Sequence, residues 1–170
     1  MRKRNILTYC LLNILFICWC GITFSQSAYR FQNYSINDGL SQSSVLCVVQ
    51  DDNYALWIGT QDGLNRFDGK RFEVFTSDEV KGLEGSYIRS SLKQSDGTLW
   101  FGTVNGLTTY DPKTEKFNTY NYSKHNLSVE KIVADNQNNI WFTTATKGVW
   151  KFNTKTQKFS AQNHIFNINE

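Results

Sequence analysis

The 170-residue chain has little of what builds metal centres or disulfide scaffolds. It holds four cysteines and two histidines, and Cys10, Cys18 and Cys20 all fall within the first 20 residues. Cys47 stands by itself in an apolar run. A thiol there acts as a small hydrophobe, and one cysteine makes neither an intramolecular disulfide nor a metal cluster. His125 and His164 lie in polar stretches with no second ligand at metal spacing. No GxSxG, HExxH or phosphate-binding glycine loop is present. The stretch Gly102-Thr103-Val104-Asn105-Gly106 reads as a turn, since no helix comes after it. Asp51-Asp52-Asn53 and Asp135-Asn136-Gln137-Asn138 lack the glycine and terminal glutamate of a calcium loop. No metal and no cofactor is therefore expected. Asp51, Asp52, Asp62, Asp96 and Asp111 sit in turns rather than as the facing carboxylate pair that glycoside hydrolysis requires, so an enzyme is not expected either.

Helical periodicity is missing over any useful length after the first 25 residues. Those residues have their own pattern. Met1-Arg2-Lys3-Arg4-Asn5 is followed by an apolar run from Ile6 to Phe24, with small residues at Thr23 and Ser25, as in a secretory signal peptide cut before Gln26. The run is 19 residues long, close to a bilayer span, so an uncleaved anchor is the alternative. Both readings place the remainder on the periplasmic or extracellular side. The formal charge of +3 is carried by Arg2, Lys3 and Arg4, and residues 26–170 are balanced. No basic stripe is left, so a nucleic-acid partner is excluded. Membrane contact is expected only through the N-terminal segment or a part beyond this chain.

What the chain does have is a phrase written three times: Leu56-Trp57-Ile58-Gly59-Thr60, Leu99-Trp100-Phe101-Gly102-Thr103 and Ile140-Trp141-Phe142-Thr143-Thr144. The tryptophans are 43 and 41 residues apart. A repeat of roughly 40–50 residues is the period of a β-propeller blade. Val45, Ile88 and Val129 stand at one offset before the tryptophans, and Val49, Leu92 and Val133 at another. Gly63, Gly106 and Gly148 come after them. In the first unit the apolar runs are Ser43–Gln50, Ala55–Thr60, Leu64–Phe67 and Arg71–Thr76, separated by Asp, Asn and Gly turns, which predicts four antiparallel strands. Asp96-Gly97 gives the second unit a strong hairpin signal. Trp57, Trp100 and Trp141 are expected to fill the wedge between neighbouring sheets.

The expected fold is all-β, an incomplete β-propeller of three four-stranded blades with an N-terminal ring-closing strand at Tyr29–Tyr34. The expected divisions are a signal peptide at 1–25, the closing strand and lead-in loop at 26–42, blades at 43–80, 81–122 and 123–163, and the start of a missing blade at 164–170. Propellers carry about four to eight blades, and an open array leaves apolar sheet faces and unpaired edges. The chain is accordingly expected to be an N-terminal fragment. Further blades of a parent chain, or self-association, would cover those faces.

Asn37-Asp38-Gly39-Leu40-Ser41-Gln42-Ser43-Ser44-Val45, with Leu56-Trp57-Ile58-Gly59-Thr60 and Asp62-Gly63-Leu64-Asn65-Arg66-Phe67, resembles the two-component regulator propeller repeat. Ser95-Asp96-Gly97-Thr98-Leu99-Trp100-Phe101-Gly102-Thr103 with Gly106-Leu107 repeats it. The third unit departs from it, with Thr143 in place of Gly and Lys147-Gly148-Val149 in place of Asp-Gly-Leu. The resemblance implies the start of the periplasmic sensor of a Bacteroidetes-type hybrid two-component histidine kinase, with kinase activity elsewhere in the parent protein and carbohydrate fragments as frequent stimuli. The alternative is a secreted structural or carbohydrate-binding propeller without kinase output. Loops on a rigid scaffold carry function, so the turns after the tryptophan strands are the candidate oligosaccharide contacts: Thr60, Gln61, Asp62, Thr103, Asn105, Thr146 and Lys147. Trp57, Gly59, Gly63, Trp100, Gly102, Gly106, Trp141 and Gly148 are expected to be structural.

Overall fold

A computed structural model describes residues 29–122 and 126–162. The expected leader, the expected start of a fourth blade, His125 and His164 lie outside the described residues. The chain divides between Asn33 and Tyr34 into two units. Of the first, only 29–33 are described, and they carry no secondary structure.

The second unit opens on one 3-10 turn, Ile36–Asp38. The Ser35 hydroxyl accepts the Asn37 N–H and the Asp38 carboxylate accepts the Ser35 N–H at 2.8 Å, so both ends of the turn's backbone are satisfied locally. Three antiparallel four-stranded sheets come next, each in plain meander order. The first holds β1 Val45–Gln50, β2 Leu56–Thr60, β3 Leu64–Phe67 and β4 Phe72–Phe75. The second holds β5 Ile88–Lys93, β6 Leu99–Thr103, β7 Gly106–Asp111 and β8 Lys116–Tyr120. The third holds β9 Val129–Ala134, β10 Asn139–Thr144, β11 Val149–Asn153 and β12 Lys158–Ala161. The first strands β1, β5 and β9 lie side by side, and the sheets do not close into a ring. The expected three four-stranded blades are thus present. Residues 29–34, expected as the closing strand, are not a strand. A strand needs a partner edge for its N–H and C=O groups, and no ladder among the described residues includes them.

The core is split into two, one part between each pair of sheets. Trp57, Leu64, Ile88, Leu99, Phe101, Tyr110 and Phe117 fill the first gap. Trp100, Leu107, Val129, Ile140, Phe142 and Phe152 fill the second. Trp57 is 0% exposed, with ring centroids 4.4 Å from Tyr110 and 5.5 Å from Phe75. Burying an indole this fully contributes about 3 kcal/mol. Trp100 repeats the role against Phe152 at 5.8 Å. Trp141, half-buried, lies on the outward face of the third sheet, where no sheet among the described residues covers it.

Close approach of the sheets depends on two glycines. A Cβ at Gly59 would come within 2.8 Å of Ile88 Cγ2, and one at Gly102 within 2.6 Å of Val129 Cγ1. The branched residue that opens each following sheet packs where that Cβ would be. Buried Leu83 and Leu127 pin the two connectors between the sheets, and buried Leu40 holds the same place ahead of the first sheet.

Candidate functional site

The first residue of each inner strand pairs with the last residue of the next strand: Val45 with Thr60, Ile88 with Thr103 and Val129 with Thr144. The connectors and the turns after the tryptophan strands therefore share one end of the array. The threonines close those turns. Their hydroxyls donate to the carbonyls of Gly63, Gly106 and Gly148 at 3.0, 3.2 and 3.0 Å. They accept the N–H of Asp62, Asn105 and Lys147 at 3.1, 3.1 and 2.9 Å. Thr60 and Thr103 are fully buried. Ligand contact is expected of these two from the sequence, but their hydroxyls already donate and accept inside the fold. Their place is in the turn.

The other expected contacts stay at the surface. Gln61, Asp62, Thr146 and Lys147 are exposed and Asn105 is half-buried. Two of them reach the following repeat. Gln61 Nε2 donates to the Tyr87 hydroxyl at 3.5 Å, and Asn126 Nδ2 donates to Asn105 Oδ1 at 3.3 Å. Thr146 and Lys147 stand on the third sheet's turn, apart from these bridges.

Beside these turns each inner strand carries a β-bulge, and all three bulges fall at the same place. The register slips between Val45 and Cys47, between Ile88 and Ser90, and opposite Thr143 and Thr144. The extra residues are Leu46, Arg89 and Glu130. A bulge re-aims the side chain it carries and is over-represented next to functional sites. Here the three bulged side chains, with Tyr87 and Lys131, line one cleft of about 350 Å3. The Arg89 guanidinium lies 4.5 Å from the Tyr87 ring centroid, donates to Ser128 Oγ at 3.1 Å and pairs with the Glu130 carboxylate. Sheet spacing thus brings together a cation, an anion, a phenol and an aliphatic wall. They can offer donors and acceptors to a polyhydroxylated or zwitterionic ligand, with the ring as a stacking face. Sequence reasoning did not find this set. Its one signal was the single position after Val45, Ile88 and Val129 that changes character from Leu to Arg to Glu.

Another recurrent device lies at the opposite end. Six residues before each tryptophan stands a side chain that accepts its indole N–H. The acceptors are Asp51 Oδ2 at 2.9 Å, Gln94 Oε1 at 2.6 Å and Asp135 Oδ2 at 2.8 Å. The donors from the Trp141 indole, the Asn139 amide and the backbone hold the Asp135 carboxyl well below the usual carboxylate range. Asp51 and Asp135 therefore each accept an indole N–H in addition to closing their turns.

A larger cleft of about 590 Å3 opens between the outer strands of the first two sheets, lined by Arg66, Glu73, Tyr110 and Lys116 among others. Burial pushes the Tyr110 hydroxyl upward in pKa, so it is a neutral donor there. The same groove recurs between the second and third sheets with Tyr120, Gln157 and Lys158. Its recurrence marks it as a product of sheet splay rather than a specific site.

The sequence profile of the family described as "Two component regulator propeller" matches residues 39–62 and 82–105. The matched segments lie in the first two units, and each match opens at the glycine before a buried leucine, Leu40 or Leu83. Histidine kinase P4 of Formosa agariphila is 39% identical over 75 residues, which are 44% of this chain and 5% of that protein. The extracellular domain of a B. thetaiotaomicron protein described as a hybrid two component system superposes with a TM-score of 0.70 at 28% identity, over 79% of this chain and 20% of that one. Another B. thetaiotaomicron extracellular domain, described as a one component system, gives a TM-score of 0.67 at 24% identity over 84% and 19% of the two chains. That second likeness concerns the fold alone. The chain spans about a twentieth of the curated relative and about a fifth of the solved domains.

Proposed function

We propose that the chain is a section of the extracytoplasmic sensor of a two-component receptor, exported by its N-terminal segment, and that it binds an oligosaccharide without turning it over. The cleft of Leu46, Tyr87, Arg89, Glu130 and Lys131 is the contact region, with Gln61 and Asn105 on its approach. The observation that carries this reading is the threefold recurrence of the bulge, which places dissimilar side chains at one equivalent position on a scaffold that is otherwise repetitive. The matched propeller repeats and the two-component extracellular domains among the solved relatives support the sensor context. Further blades of a parent protein complete the propeller and cover its open faces, and the kinase output lies in that parent. A ligand that prefers one arrangement of neighbouring sheets over another shifts the population of the sensor and so carries a signal.

The test is calorimetric titration of the purified chain with a panel of neutral and acidic oligosaccharides, alongside Arg89→Ala and Glu130→Gln. At least one member should bind, with each variant weakening it tenfold or more. Absence of binding across the panel, or binding that neither variant alters, refutes the site. Chromatographic appearance of cleaved sugar would refute the binding-only reading.

A further inference from the structure

The trailing faces of the three sheets can be compared position by position. The tryptophan is common to all: Trp57, Trp100 and Trp141. The residue opposite the second position after the bulge start is Gly59 in the first sheet, paired with Cys47, and Gly102 in the second, paired with Ser90. In the third sheet the same place is held by Thr143, paired with Lys131, and Thr143 is exposed. At the outer edge, the residue facing Leu64 is Phe75 and that facing Leu107 is Tyr120. On the third sheet the equivalent residue is Gln162, whose N–H bonds the Val149 carbonyl.

Those differences matter because of what the glycines receive. Ile88 and Val129 open the second and third sheets, and each packs where a Cβ on the preceding glycine would sit, 2.8 Å from Ile88 Cγ2 and 2.6 Å from Val129 Cγ1. These separations are far inside van der Waals contact, and packed interiors do not absorb such overlap without moving apart. Thr143 carries that Cβ. The leading face of the first sheet opens on Val45, which is 47% exposed and is the repeat equivalent of Ile88 and Val129. The remainder of that face is complementary. Tyr34 lies 4.8 Å from Phe67 and 5.7 Å from Phe72. The chain thus supplies there an aromatic ring of the kind that Phe75 sets against Phe117 at 5.4 Å and Tyr120 against Phe152 at 4.9 Å, the ring that Gln162 lacks.

We infer that the open face of the third sheet is an interface for a further sheet whose innermost strand begins on glycine, since the Cβ of Ile88 would itself lie 2.9 Å from a Cβ on the preceding glycine, and that Thr143 closes it to the leading face of another copy of this chain. The partner is argued from continuity with the two interfaces already formed and from the steric mismatch of Val45 against Thr143. Thr143 is a specificity-determining residue. It keeps an array with two apolar ends from joining head to tail while leaving one end available to a chosen neighbour. The inference rests on the reading that more sheets complete the propeller.

The probe is the full chain itself. Val45→Gly removes from its leading face the Cβ that would meet Thr143, and Thr143→Gly restores the glycine on its trailing face. Light-scattering mass against concentration should show the unaltered chain without head-to-tail association and both variants associating at least tenfold more tightly. Adding Trp141→Glu to either variant should abolish the gain. If neither variant associates more than the unaltered chain, or if the unaltered chain already associates through a contact that Trp141→Glu removes, the inference is wrong. Circular dichroism of each variant shows that its sheets are intact. The sugar titration is untouched by either result, so the sensor reading can stand or fall separately.

Discussion

Removing the Asp51 carboxylate tests whether the indole clasp holds the first sheet together. Asp51 is 4% exposed and Trp57 is 0% exposed. Its Oδ1 accepts the N–H of Asn53 and of Ala55, both at 2.9 Å, and its Oδ2 accepts the Trp57 indole N–H at 2.9 Å. In Asp51→Ala, the Asn53 N–H turns to water, but the Ala55 N–H and the indole N–H are both left in buried surroundings. Each stranded buried donor costs about 1–3 kcal/mol, so the variant should lose about 3–4 kcal/mol. Asp51→Asn keeps the two backbone bonds and sets an amide N–H2 against the indole donor, for a loss of about 1–2 kcal/mol. Gln94→Ala removes one bond in the second sheet at a half-buried side chain that water can replace, for about 1 kcal/mol. Urea unfolding followed by circular dichroism ranks the three. A drop of 3–4 kcal/mol moves the midpoint by roughly 2 M at a slope near 2 kcal/mol per molar. If Asp51→Ala lies within 1 kcal/mol of the unaltered chain, or if Gln94→Ala costs as much, the buried-donor argument fails.

Gly59→Ala and Gly102→Ala should each lose about 1–3 kcal/mol from overpacking against Ile88 and Val129, and an unchanged urea midpoint would contradict the contact. The Cys47 thiol, pushed up in pKa by burial, should react with a disulfide reagent much more slowly in the folded chain than in urea, with equal rates counting against its burial. The Asp135 carboxyl is lowered in the folded state, first by the Trp141 indole and then by Asn139. Its contribution is therefore fully present above the unfolded value near pH 4 and is lost as the pH falls toward the folded value. The stability gap between the unaltered chain and Asp135→Asn should be widest at pH 6 and narrow steadily below about pH 4, and a gap that does not change with pH would refute the clasp.

Much of the fold is legible in the tryptophan spacing. The runs read as Leu64–Phe67 and Arg71–Thr76 appear as β3 Leu64–Phe67 and β4 Phe72–Phe75. The agreement comes from physics local to the sequence, since alternating apolar residues bounded by Asp, Asn and Gly leave few other conformations open. The misses come from pairing, which no local pattern encodes. Tyr29–Tyr34 has strand-like composition, but a strand exists only against another edge. Trp141 stands at the same repeat position as Trp57, yet no sheet among the described residues lies beyond it. The acidic turns were legible as turns. Their second task, accepting an indole N–H six residues on, depends on how far the hairpin twists the ring back over its own turn.

The site was the least legible part, and the repeats show why. Three copies in one chain act as an internal comparison of what the fold demands. The tryptophan, the threonine that closes its turn and the acceptor six residues before it recur because a buried ring, a turn N–H and an indole N–H each have only a few solutions. The bulge position obeys no such demand. Leu46, Arg89 and Glu130 leave the ladder there, and the surrounding sheets accept an alkyl chain, a cation and an anion at one place. In a repetitive scaffold, specificity can be written only at positions that packing does not dictate. Such positions carry no periodic signal, because their freedom to differ is what makes them useful. The contrast between Gly59, Gly102 and Thr143 obeys the same logic at a sheet face. The first two are fixed by the sheet that covers them, and the third is free to choose its neighbour.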